Sequence, residues 1–144
     1  MKNIVLILLL AVNIVQAQEW LTDFAEAKEG AKECEKNIML LFSGSDWCAP
    51  CIKLEKQILE TQEFLEYANQ YYILLKADFP RKKKNQLPEP LQKQNKDLAE
   101  KYNRSGGFPL IVVLDKEGKK LGEVGYKKRS PSSYIQLLHT IISK

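Results

Sequence analysis

The residues of this 144-residue chain best suited to chemistry are Trp47-Cys48-Ala49-Pro50-Cys51. Two thiols three residues apart fall on one face of a first helical turn and can close a small disulfide ring. A cysteine at a helix start meets unpaired backbone N–H groups and the positive end of the helix dipole, both of which favour an anion. Reactive cysteines in such settings have pKa values of about 3.5–7.5, against about 8.5 for a free thiol, which makes Cys48 the expected thiolate nucleophile. Cys51, one turn further in, is expected to be more buried and to keep its proton until needed. The pair reads as a device for dithiol–disulfide exchange: Cys48 attacks a substrate disulfide, and Cys51 then attacks Cys48 to release the reduced product. Pro50 lacks an N–H and fixes φ, which stiffens the ring, and Trp47 is expected to wall an exposed Cys48 sulfur.

Two duller uses of the pair fit less well. A ring this small removes little chain entropy, so a purely structural staple gains little. A closed zinc site needs four ligands, and the chain has one CxxC and a lone histidine, His139. No metal and no cofactor is expected. Cys34 falls on the apolar face of a predicted helix and is expected to be a buried small hydrophobe outside the chemistry; His139 reads as packing or surface.

Positioning such a pair needs a strand that ends where the cysteines begin. Ile38-Met39-Leu40-Leu41-Phe42 is a continuous apolar run of strand length, the pattern of a strand buried on both faces. Before it, Phe24, Ala27, Ala31 and Cys34 recur at helical spacing behind Thr22 or Asp23 as cap, and Asn37 is the expected stop. After it, Ala49 to Tyr71 is helical with a second cap at Thr61, and Tyr72 to Ala77 is a strand. Phe79 to Leu87 is a long loop carrying Arg81-Lys82-Lys83-Lys84. Pro88 and Pro90 open a helix that runs to about Asn103. Pro109 to Leu114 and Lys119 to Tyr126 form a hairpin about Asp115-Lys116-Glu117-Gly118, and Ser130-Pro131 opens the last helix. The order α, β, α, β, α, β, β, α predicts an α/β fold with a mixed central sheet and helices on both faces.

Ahead of this domain, Lys2, the apolar run Ile4 to Val15 and the small residues of Val15-Gln16-Ala17 make residues 1–17 an expected secretory signal peptide, leaving 18–144 as the domain. A membrane anchor needs about 20 apolar residues, and this run ends at Gln16. Composition agrees with one domain: 44% hydrophobic and 28% charged residues, with a net charge of +4 that is too small to suggest nucleic-acid binding. Three cysteines leave one without an intrachain partner.

Phe42-Ser43-Gly44-Ser45-Asp46 leading into the cysteine motif, with Gly107-Phe108-Pro109 at the start of a later strand, resembles the thioredoxin superfamily. More closely it resembles the exported thioredoxin-like disulfide reductases of bacteria, the group that includes the DsbD C-terminal domain and the DsbH-type proteins. The resemblance implies a thioredoxin fold over the domain and protein-disulfide reductase activity. Oxidase or isomerase activity through the same pair, or a non-catalytic binding module, is the alternative. It implies that Pro109 is a cis-proline facing the cysteines, that Phe108 presents its backbone to an extended peptide, and that Gly125 admits substrate to the rim. Implied partners are protein or peptide disulfides and a membrane or soluble electron donor, for a monomer located in the periplasm or secreted. One departure stands out. Thioredoxin has a buried Asp and a nearby Lys beneath its cysteines, and Phe42 and Leu74 occupy those positions here, leaving the Cys51 proton without an identified handler. Topology brings Arg81 to Lys84 and Lys127 to Arg129 to the end of the sheet that bears the cysteines, either as an electropositive rim or as solvated loops.

Overall fold

The computed structural model describes residues 18–144, so the expected signal peptide over 1–17 lies outside the described residues. Helix α1 (Phe24–Glu33) begins where the Asp23 carboxylate accepts the Glu26 N–H at 2.9 Å, and it turns Ala27 and Ala31 to the core. Strand β1 (Asn37–Ser43) is followed by α2 (Ala49–Leu54), a π-helical turn (Glu55–Leu59) and α3 (Gln62–Tyr71). Thr61 caps α3, accepting the Phe64 N–H, as expected from sequence. Then come β2 (Tyr72–Asp78), a 3₁₀ turn (Lys83–Asn85), α4 (Glu89–Tyr102), β3 (Leu110–Leu114), β4 (Lys120–Gly125) and α5 (Pro131–Ile142).

The four strands form one mixed sheet in the order β2-β1-β3-β4. β1 runs parallel to β2, and β3 is antiparallel to both β1 and β4. Alternating side chains of β1 feed two cores. Ile38, Leu40 and Phe42 pack with Ala27, Ala31, Leu98 and Tyr102 from α1 and α4. Met39 and Leu41 pack with Leu54, Phe64, Tyr134 and Leu138 on the other face. Burying side chains of this size contributes about 1.5–3 kcal/mol each, which is why an unbroken apolar run suits the centre of the sheet. The β3–β4 turn closes with the Asp115 carboxylate accepting the N–H groups of Glu117 and Lys119, and Gly118 takes a φ of +87° that a side chain would strain.

Three expectations need correction. α1 ends at Glu33, and Cys34 is its exposed C-cap, because the chain reverses through Glu35 at φ +53° before the apolar stripe completes another turn. Asn37, expected to stop that helix, is instead the first residue of β1. The first helical segment expected from Ala49 ends in a π turn rather than as regular α-helix, with the Glu60 N–H donating to the Glu55 carbonyl at 2.9 Å. No helix among the described residues is long and apolar enough to cross a membrane.

The topology gathers one end of the sheet. β1 and β2 both finish there, at Ser43 and Asp78, and the start of β3 at Leu110 lies opposite Phe42 on one side and Gly125 on the other.

Candidate redox site

At that end β1 passes into a tight turn in which the Gly44 carbonyl accepts the N–H groups of Trp47 (3.2 Å) and Cys48 (2.9 Å). Gly44 is required there by space. A Cβ would overlap the Trp47 indole, approaching Nε1 and Cζ2 at 2.6 Å. The turn delivers Cys48 to the N-cap of α2, disulfide-bonded to Cys51 with a Cα–Cα distance of 5.2 Å. The Cys51 N–H donates to the Cys48 sulfur at 3.3 Å, so a backbone donor already points at the atom that would carry negative charge. Pro50 sits in the first helical turn, where its missing N–H costs nothing. Cys48 is 4% exposed and Cys51 1%. The expected order of access holds, but the Cys48 sulfur is not the open one anticipated: with the disulfide closed, both residues are covered.

Trp47 is fixed from several directions. Its Nε1–H donates to the Phe79 carbonyl at 2.7 Å, its ring meets Phe108 edge-on at 5.7 Å, and the Arg81 guanidinium lies 3.7 Å above its ring centroid. Phe79 and Phe108 also meet edge to face, 5.4 Å apart. Phe108–Pro109 is a cis peptide, and buried Asn103 steadies the segment before it by donating to the Gly107 carbonyl at 2.9 Å. Gly125 pairs with Leu110, and a Cβ there would meet nothing within 4 Å. Trp47, Phe108, Pro109 and Gly125 are thus brought to the same end of the sheet as Cys48 and Cys51. Cys34 is elsewhere, at the end of α1, and His139 is exposed against Tyr67 and Tyr71.

Phe42 and Leu74 are apolar core residues, on opposite faces of the sheet. The polar group at this level comes from positions the sequence did not single out. Glu55, four residues after Cys51 and bonded through its N–H to the Cys51 carbonyl, accepts Lys76 Nζ at 2.7 Å and the Ser43 hydroxyl at 3.3 Å. Ser43 is fully buried, and the charged side chains are about a quarter exposed. The available signal was Lys76, the one charge inside the apolar run of β2, together with the i, i+4 relation of Glu55 to Cys51.

The basic loop is also more ordered than its composition suggests. The Asp46 carboxylate accepts the Arg81 and Lys82 N–H groups, both at 2.9 Å, and Asn85 Nδ2 at 3.0 Å. The Arg81 N–H, then Asn85 and Lys82, hold its pKa below the ordinary 3.8. Among the described residues no three His, Cys, Asp or Glu side chains gather in a way that could hold a metal.

Comparison with known proteins agrees with this geometry. The thioredoxin-like family model matches residues 19–116. The disulfide bond reductase DsbH of Chlamydia pneumoniae is 39% identical over 112 residues, covering 78% of this chain; the match spans 66% of that relative's length. A solved DsbH oxidoreductase superposes with a TM-score of 0.81 at 34% identity, over 89% of this chain and 86% of that one. The oxidised DsbD C-terminal domain of Neisseria meningitidis shares the fold, with a TM-score of 0.54 at 16% identity, over 81% of this chain and 90% of its own.

Proposed function

The chain belongs to the thioredoxin-like family, as a disulfide oxidoreductase with a Cys48–Cys51 pair, and from that premise we propose that it is an exported protein-disulfide reductase. The observation that carries the mechanism is the Cys51 N–H aimed at the Cys48 sulfur at the N-cap of α2. Starting from the dithiol, the Cys48 thiolate attacks one sulfur of a substrate disulfide. A Cys48–substrate bond forms, the substrate disulfide breaks, and the departing thiolate takes up a proton. Cys51 then loses its proton and attacks Cys48, closing the Cys48–Cys51 bond and expelling the second substrate thiolate, which is protonated in turn. Two electrons and two protons pass from the protein to the substrate. A dithiol donor protein, membrane-bound or soluble, restores the pair by the reverse exchange.

Phe108 and cis-Pro109 offer main chain to an extended substrate beside Trp47, and the open space at Gly125 lets the peptide approach from the other side. The reductive direction is supported by the Ala49-Pro50 dipeptide, close to the Gly-Pro of thioredoxin, and by the likeness to a relative named a disulfide bond reductase. Residues 1–17 supply the export signal, and the domain acts as a monomer.

Replacing Cys51 with Ala tests the chemistry: mixed disulfides with substrate proteins should accumulate on Cys48, whereas a module that only binds would trap none. The reduction potential of the pair tests the direction. A value near about −270 mV supports reduction, and one near about −120 mV rejects it in favour of oxidation.

A further inference from the structure

The four consecutive cations Arg81 to Lys84 are clamped to the redox turn. Asp46, two residues before Cys48, spends both carboxylate oxygens on the loop through the Arg81 N–H, the Lys82 N–H and Asn85 Nδ2. Arg81 stacks on Trp47, and Trp47 bonds back to Phe79 just ahead of the loop. The backbone of this cationic run therefore keeps a fixed place relative to the Cys48 sulfur. The nearby carboxylates are already engaged, Asp46 as described and Asp78 by the Ser45 N–H and hydroxyl. None of the four cations has a carboxylate partner in the ion pairs among the described residues.

A second run borders the other side. Lys127, Lys128 and Arg129 are exposed and follow Gly125, which pairs with Leu110 next to Pro109. Together the two runs carry seven positive charges against a net charge of +4 for the whole chain, so the rest of the molecule is net negative. The charge of this protein is polarised toward the end that bears the disulfide.

We propose that these two runs form a cationic rim that recognises acidic residues flanking the target disulfide, so that the favoured substrates are acidic protein segments laid across Trp47, Phe108 and Pro109. The inference rests on the reductase reading and adds to it a substrate class. Arg81 has a distinct part: it stacks on Trp47, the residue before Cys48, and so holds one charge against the redox turn, while Lys82 to Lys84 extend the field outward.

The test uses three synthetic peptides that carry the same internal disulfide, flanked by Asp, by Gln or by Lys, and the reduced protein in single turnover. The quantity read is the ratio of the Asp-peptide rate to the Lys-peptide rate within each variant, so any change in intrinsic reactivity cancels. In the native protein at about 20 mM salt the ratio should be about tenfold or more, and it should fall below about twofold near 0.5 M salt as screening shortens the field. Changing Arg81, Lys82, Lys83 and Lys84 together to Gln should bring the low-salt ratio below about threefold. Asp46→Ala separates fixed geometry from charge count. It keeps every cation and removes an anion, so charge count alone predicts a larger ratio, whereas release of the clamped loop predicts a smaller one. Equal rates for the three peptides or a ratio untouched by the Gln variant would overturn the rim, and a rise in Asp46→Ala would overturn the part assigned to the clamped loop. If no peptide is reduced at all, the reductase reading itself fails and the inference with it.

Discussion

Replacing Gly44 with Ala should be among the more damaging single changes near the site, although it adds one methyl group and leaves both cysteines unchanged. The new Cβ would overlap the Trp47 indole, with Nε1 and Cζ2 at 2.6 Å, and the neighbouring atoms are not the free end of a flexible chain. The indole is held by a hydrogen bond to the Phe79 carbonyl, an edge contact with Phe108 and the stacked Arg81. Moving it forfeits about 1 kcal/mol for the hydrogen bond, about 0.5–1 for the exposed cation–π contact and about 0.5–1.5 for the aromatic pair. The expected loss is about 2–3.5 kcal/mol. For a domain of this size each kcal/mol shifts Tm by about 4 °C, so unfolding of the oxidised protein should come about 8–14 °C earlier. Circular dichroism gives Tm, and Trp47 emission in a Trp20→Phe background reports whether the indole has moved. Gly125→Ala is the control: its Cβ meets nothing within 4 Å, so stability should stay within about 0.5 kcal/mol. A Gly44→Ala protein that loses less than about 0.5 kcal/mol and keeps its Trp47 emission would refute the packing argument.

Other perturbations give equally definite outcomes. The Asp46 carboxylate titrates below its ordinary 3.8 because the loop N–H groups bind its charged form. A depressed folded pKa means the clamp is fully present above about 3.8 and is lost as pH falls below it, so the Arg81 and Lys82 amide resonances should shift in that acid range, and Asp46→Asn should abolish the step. Lys76→Met leaves the partly buried Glu55 carboxylate without its cation and should cost about 1–2 kcal/mol by denaturant unfolding. Adding Glu55→Gln should recover part of that loss, and strict additivity of the two changes would show that the residues do not interact. The Tyr134 hydroxyl is buried with no hydrogen-bond partner among the described residues, and burial pushes its pKa up. Tyr134→Phe should therefore leave stability unchanged or raise it by up to about 1 kcal/mol, and a loss larger than that would mean the hydroxyl has a partner.

The parts of this molecule that could be read ahead of its structure are those governed by local rules. The run Ile38 to Phe42 announced a strand covered on both faces, and both cores meet on it. Thr61 and Ser130 have the side chains to accept N–H groups three residues on, and both do. The cysteine spacing placed a sulfur pair on a helix start for the same reason. What escaped depends on long-range contacts or on where an element stops. The spacing of Ala27, Ala31 and Cys34 identifies the face of a helix but not its last residue, so the turn at Glu35 left Cys34 in solvent. Glu55 and Lys76 are 21 residues apart, Asp46 and Arg81 are 35 apart, and nothing in either local sequence specifies the partner. The clamped basic loop and the ion pair beneath α2 come from sheet register, which pairs Ser43 with Asp78 and Leu41 with Lys76.

The ends of the sheet order have a bearing on the company this protein keeps. β2 is an edge strand, yet its outer side is partly occupied: the Leu21 N–H donates to the Leu74 carbonyl and the Leu21 carbonyl accepts the Lys76 N–H, both at 2.9 Å. The opposite edge, β4, carries Lys120 and Glu123 and pairs with an irregular register at Val113 and Leu114. Under the proposed function this protein meets unpaired main chain of its substrates, and an open edge would let such chains add themselves to the sheet. With both margins blunted, a foreign strand finds little template on either edge on which to begin an aggregate.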